Sequence, residues 1–109
     1  MTVQQLIDAL ELTVFHLAQP ERTLSGCYVG DLLSWVMGRA EPDSAWLTIM
    51  SNQNVAAVAL MADVACVVLT EGVQPDPDLL RRAREKGVNL LGTGADTFST
   101  ACLLGKALD

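Results

Sequence analysis

The sequence predicts an α/β domain, with helices flanking a mainly parallel sheet in three α/β/α layers and an N-terminal strand pair at the edge. Three observations carry this. Val64 to Leu69 reads Val-Ala-Cys-Val-Val-Leu, apolar on both faces. Such a strand belongs at the centre of a sheet, covered by helices on either side. From Trp46 onward, strand-like and helix-like stretches alternate with short links, which implies parallel pairing through right-handed crossovers. Finally, Asp76-Pro77-Asp78 and Gly87 bracket a helix with start and stop signals of the expected kinds.

Taken in order, Thr2 can cap a first helix in which Val3, Leu6, Ile7 and Leu10 recur at helical spacing. Leu12 to Leu17 reads as a strand, and Ala18 to Glu21, with Pro20, as a turn. Arg22 to Val29 is a second extended piece. Asp31 opens a helix to about Ala40, its carboxylate near the positive helix start. Glu41-Pro42-Asp43-Ser44 breaks the chain. Trp46 to Met50 is a strand, Asn54 to Asp63 a helix and Val64 to Thr70 a strand. The Asp76 helix ends in Arg81, Arg82, Arg84 and Lys86. Val88 to Leu91 is a short strand. Thr93 can cap a last helix to about Leu108, with Asp96 three residues on in a partial capping box.

A chain of 109 residues is expected to form one domain, 1–109. Half the residues are hydrophobic, and 7 Lys and Arg stand against 13 Asp and Glu, for a net charge of −6. That balance argues against a nucleic-acid backbone or an anionic membrane as partner. Cys27, Cys66 and Cys102 are odd in number and widely spaced, so a disulfide framework is not expected and a cytoplasmic setting fits. The N-terminus has no signal-peptide pattern. The apolar stretch Val55–Leu69 is 15 residues long and interrupted by Asp63, whereas a helical span needs roughly 20.

In an open parallel sheet, ligands bind beyond the carboxyl ends of the strands. The residues expected on that rim are Tyr28 and Asp31, then Ser51, Asn52 and Asn54, then Thr70, Glu71 and Gly72. Each also has a purely structural explanation as a cap or a turn former. Gly92-Thr93-Gly94 lacks the third glycine of a dinucleotide fingerprint and follows the last strand. No catalytic set is evident. His16 is the sole histidine, Ser25 and Ser34 have no other base to pair with, and thiol chemistry would fall to Cys27 or Cys102. No metal-ligand spacing and no cofactor motif occur. The basic cluster around Arg82 reads as helix-end electrostatics, with a phosphate patch as the alternative.

Two helices are apolar nearly all round: Leu32, Leu33, Trp35, Val36 and Met37 in one, Val55 to Ala62 in the other. A helix apolar on every side asks to be buried on every side. One small sheet cannot bury two of them, so a two-fold homodimer is expected, with Leu33, Trp35, Val36, Met37, Val58 and Met61 at the interface.

The stretch Arg-Thr-Leu-Ser-Gly-Cys-Tyr-Val-Gly-Asp-Leu-Leu-Ser, residues 22–34, resembles the signature of the DRTGG domain, in which an Arg and a Gly pair precede Tyr and a Ser-Asp-Leu-Leu-Ser run. The resemblance continues in Trp46-Leu-Thr-Ile, in Asn54-Val-Ala-Ala-Val-Ala and in Val67-Val-Leu-Thr-Glu-Gly, and covers nearly the whole chain. Glu21, Cys27 and Gly30 depart from the pattern. DRTGG domains are similar to the N-terminal domain of HPr kinase/phosphorylase. They accompany phosphotransacetylases and, with CBS domains, regulatory pyrophosphatases, as dimerising or regulatory modules. The resemblance implies a non-enzymatic cytosolic regulatory or dimerisation module, with a protein partner in a regulatory pathway. The alternative is a small-molecule sensor, an adenine nucleotide being the leading candidate, bound at the carboxyl ends of the parallel strands.

Overall fold

A computed structural model describes all residues, Met1 to Asp109. The elements are α1 (Val3–Leu10), β1 (Thr13–His16), β2 (Gly26–Val29), α2 (Leu33–Arg39), β3 (Ser44–Thr48), α3 (Asn54–Ala62), β4 (Cys66–Leu69), α4 (Pro77–Lys86), β5 (Leu90–Gly92) and α5 (Thr97–Leu108). The five strands form one sheet in the order β1-β5-β4-β3-β2. β2 to β5 run parallel, and β1 joins β5 antiparallel.

The class and the three layers are those the sequence predicts. Alternate side chains along the strands point to opposite faces, so the register Tyr28–Trp46–Val67–Leu90 forms one apolar row across the sheet. That row meets Val36 of α2, Val55 and Val58 of α3, and Leu79 and Ala83 of α4. The opposite row, with Ala45, Leu47, Cys66, Val68 and Leu91, meets α1 through Val3, Leu6 and Ile7, and α5 through Leu104. β4 is buried along its whole length, as its continuous apolar run requires.

The two N-terminal strands are edge strands, but they do not pair with each other. β1 closes one edge and β2 the other. The segment between them, residues 17–25, runs as a strap beneath the amino ends of β5, β4 and β3. Side-chain bonds hold it there. Asn89 is buried and makes four: its Oδ1 accepts from the backbone N–H of Ala18 and of Gln19, and its Nδ2 donates to the carbonyls of Gln19 and Ala65. Further along, the Arg22 guanidinium donates to the Asp43 carboxylate at 2.9 Å and to the Asp63 carboxylate and carbonyl at 2.7 Å. Asp43 and Asp63 both have left-handed backbones, with φ of 65° and 57°. Partial burial works against the guanidinium charge, yet the bonds to Asp63 and Asp43 outweigh it and hold the Arg22 pKa above its ordinary value. At the far end the Ser25 hydroxyl donates to the Pro42 carbonyl.

The strap also completes α1. Val3 and Gln4 donate their N–H groups to the carbonyls of Arg22 and Pro20, and Thr2 and Gln5 form the reciprocal capping box. Three expected helix and strand starts move. Asp96, not Thr93, caps α5: its carboxylate accepts from the Ser99 N–H and hydroxyl, which holds its pKa below the usual value, while Thr93 accepts from Ala95. α2 begins at Leu33 rather than at Asp31, because the Asp31 carboxylate is engaged elsewhere. β3 begins at Ser44 and ends at Thr48, two residues earlier than expected, since its pairing with β2 starts at Gly26 opposite Ser44.

Cys66 is fully buried, and desolvation pushes its thiol up to about 12. Cys27 is exposed on the edge strand, and partial desolvation of its thiol pushes it up to about 11. Unfolded, both return to about 8.5. A thiol whose proton is held more tightly in the folded state adds stability below the unfolded pKa and loses it as pH rises through the folded one. We expect Tm to fall from about pH 9 up to about pH 11. The Cys27→Ser/Cys66→Ala double variant should show a flatter slope in the same titration, whatever its absolute stability. An equal slope would remove the thiols as the cause.

Candidate functional site

The rim at the carboxyl ends of the strands is closed by its own side chains. Gly30 turns the chain after β2: its N–H donates to the Leu47 carbonyl and its carbonyl accepts from the buried Trp46 indole at 2.9 Å. The Tyr28 ring lies over it so closely that a Cβ at position 30 would stand 2.9 Å from Cε2, so only glycine fits without displacing the ring. Asp31 then reaches across to β3, accepting from the Thr48 hydroxyl at 2.8 Å and the Ile49 N–H at 3.0 Å. Ser51 donates to Asp76, whose N–H returns to the Ser51 carbonyl. Asn52 accepts from the N–H of Asn54 and so starts α3.

The Thr70–Gly72 loop is zipped to the loop after β5. Glu71 and Gly72 donate to the carbonyls of Ala95 and Thr93, and the Glu71 carboxylate accepts from the Thr97 N–H. Thr70 is buried and shares a 2.7 Å hydrogen bond with the Thr97 hydroxyl, so it has no group to offer a ligand. Gly92 allows the Phe15 ring of β1 to cover the end of β5: a Cβ there would stand 2.5 Å from the ring. That close approach is the physical use of a glycine which resembled part of a nucleotide fingerprint. The predicted rim residues are thus brought to one end of the sheet, where the polar groups of Asp31, Ser51, Asn52, Thr70 and Glu71 hold neighbouring loops together, while the Asn54 amide and the Tyr28 hydroxyl make no such bond.

The cavities lie elsewhere. The larger, of about 330 Å³, is a groove between α3 and α4, with Ala56, Ala57, Leu60 and Met61 along one side and Arg82 and Lys86 along the other. Gln53 and Asn54 stand at its polar end, so Asn54 is the one rim residue that lines it. The smaller, of about 110 Å³, lies over the strap between Arg22, Asp63 and Asn89. The i, i+4 spacing of Arg82 and Lys86 puts them on one face of α4, but nothing in the sequence says which helix that face meets.

The predicted interface residues divide. Val36 and Val58 are buried in the protein's own core and have no surface for a partner. Leu33 is partly buried against the same core. Trp35, Met37 and Met61 are exposed at 50%, 43% and 71%, joined by Leu32 and Leu60 at 57% and 47%. The Arg39 guanidinium stacks on the Trp35 ring, 3.7 Å from its centroid. α2 packs beside α3, so these residues lie on adjoining helices.

His16 ends β1, on the opposite edge of the sheet from Cys27, so those two cannot form a nucleophile pair. No group of three or more His, Cys, Asp or Glu side chains converges as a metal site. No helix is long and apolar enough to cross a membrane.

The protein is an α/β domain with a five-stranded sheet, helices on both faces and strand-end loops bonded to one another. This chain belongs to the DRTGG domain family, whose sequence profile matches residues 5–107. A similar solved structure is that of the CBS and DRTGG domains of the regulatory region of Clostridium perfringens pyrophosphatase, complexed with its activator, diadenosine tetraphosphate. The two align with a TM-score of 0.75 at 12% identity, over 97% of this chain and 46% of that one. The chain therefore spans less than half of that structure, and the likeness concerns the fold. No curated protein matches the chain.

The family position of Cys27 also acquires a physical account. Cys27 lies within β2, in regular parallel register opposite Ala45 and with no left-handed φ. A side chain at this point therefore costs the backbone nothing. The residue that does need bare backbone is Gly30.

Proposed function

We propose that this protein is a non-enzymatic regulatory module that acts by self-association, as a homodimer through the outer faces of α2 and α3. One observation carries the reading: Leu32, Trp35, Met37, Leu60 and Met61 are all large, apolar and at least two-fifths exposed on two adjoining helices. Monomeric proteins rarely leave such residues grouped in water. Exposed Trp and Met are residue types enriched where interfaces carry their energy. A stable interface of this kind buries about 800 Å² on each partner.

Light scattering after gel filtration at micromolar concentration is expected to give twice the 11.7 kDa of one chain. Trp35→Glu with Met61→Glu should return the monomer mass with the circular dichroism unchanged, since both side chains are exposed. A monomer at micromolar concentration for the unmodified chain would sink the proposal.

A second reading, a sensor of an adenine nucleotide in the cytosol, draws support from the diadenosine tetraphosphate bound in the similar regulatory region. The sealed strand-end loops argue against the rim as its location.

A further inference from the structure

We propose that the groove between α3 and α4 binds a small anion bearing a flat apolar group, the chemical class that includes nucleoside monophosphates. This deepens the sensor reading and rests on it, while moving the site away from the strand ends.

Three features of the groove point to that chemistry. Its floor is apolar, with Ala56 and Ala57 small enough to let a flat ring approach the α3 backbone, and with Leu60 and Met61 lining it where it borders the proposed dimer face. Its wall carries two cations, in a protein of net charge −6. Arg82 has no ion-pair partner and neither has Lys86, whereas the neighbouring Arg81 is held between Asp78 and Glu85. Lys86 stands in the last turn of α4 and is accounted for by the helix dipole, but Arg82 lies in the middle of the helix, where that account fails. A guanidinium and an ammonium one helical turn apart can both reach a phosphate or a carboxylate, the first with two parallel bonds. The side-chain amides of Gln53 and Asn54 make no hydrogen bond within the protein and stand free to contact ring nitrogens or hydroxyls. The volume falls at the small end of the roughly 300–1,000 Å³ of ligand pockets, which suits one ring and one anionic group.

The test is a binding measurement on the full chain with adenosine monophosphate, uridine monophosphate and indole-3-acetate as whole probes, and adenosine and inorganic phosphate as partial ones. Thermal shift and amide chemical-shift changes give the readouts. At least one whole probe is expected to raise Tm at millimolar concentration and to move the Ala57 and Arg82 amides, with each partial probe weaker. Arg82→Gln/Lys86→Gln and, separately, Ala57→Glu should weaken that binding by at least about tenfold. These side chains make no ion pair or hydrogen bond to the rest of the fold, so the unliganded Tm should hold. A shift that survives both variants overturns the groove and leaves a sensor with its site elsewhere. No shift with any whole probe overturns the groove and the sensor reading together. Phosphate binding as strongly as the monophosphates overturns the apolar half of the proposed ligand.

Discussion

Asn89→Leu is expected to cost about 3 kcal/mol, although the two side chains are close in size. The substitution removes four hydrogen bonds at once. Two of the abandoned groups, the N–H of Ala18 and of Gln19, belong to exposed residues and can turn to water. The Ala65 carbonyl belongs to a residue only 2% exposed, and it loses the Asn89 donor, so at least one acceptor is left short inside the protein. Thermal melts should show Tm lowered by more than about 10 °C. A loss below about 1 kcal/mol would mean that the strap is held by its other contacts alone. The replacement also puts an apolar side chain at the one buried position where a side-chain amide ties β4, β5 and the strap together.

The second large effect belongs to Arg22, in the stretch that resembles the family signature. Arg22→Met keeps the aliphatic stem but removes the bonds to Asp43 and Asp63. Its carboxylate partners are half exposed or more, so they regain water rather than remain buried and unpaired. The expected cost is about 2 kcal/mol, below that of a fully buried pair. Asp63→Asn should cost less, and the double variant should cost less than the sum of the two singles, because both act on one network. Denaturant melts of the four proteins measure this directly. Strict additivity would show that Arg22 stabilises through its stem and its backbone carbonyl, not through its charge.

Much of the fold was legible because it rests on patterns of local origin. The central strand announces itself by six apolar residues in a row, and α4 by Asp76-Pro77 at one end and Gly87 at the other. The edges were less legible. A strand's partner depends on where the chain returns, and no residue in Thr13–His16 says that it will lie beside β5 rather than β2. Asp31 looked like a helix opener because an acid before Leu-Leu-Ser commonly is one. Only the fold brings Thr48 within 2.8 Å of it. The rim residues lie at the strand ends, yet the bonds that engage them reach across 17 to 27 positions of sequence. The apolar helices carried the right message about a surplus of apolar surface. Val36 and Val58 sit on the core side of their helices, and composition alone does not say which way a helix is rolled. Arg82 and Lys86 stood out as a basic run, but the groove they overlook exists only once α3 has packed beside α4.

The strap has a consequence for the order in which this chain gains its shape. Its fastenings join residues far apart in sequence: Ala18 to Asn89 spans 71 positions and Arg22 to Asp63 spans 41. Closing such loops is entropically costly until the groups to be joined are already in place. β3, β4 and β5, with α3 and α4 between them, form a contiguous stretch that can assemble first. Residues 17–25 then have nothing to fasten to until that stretch exists. The strap is expected to close late, a clasp over three strands already in place, with β1 and β2 adding to the two edges.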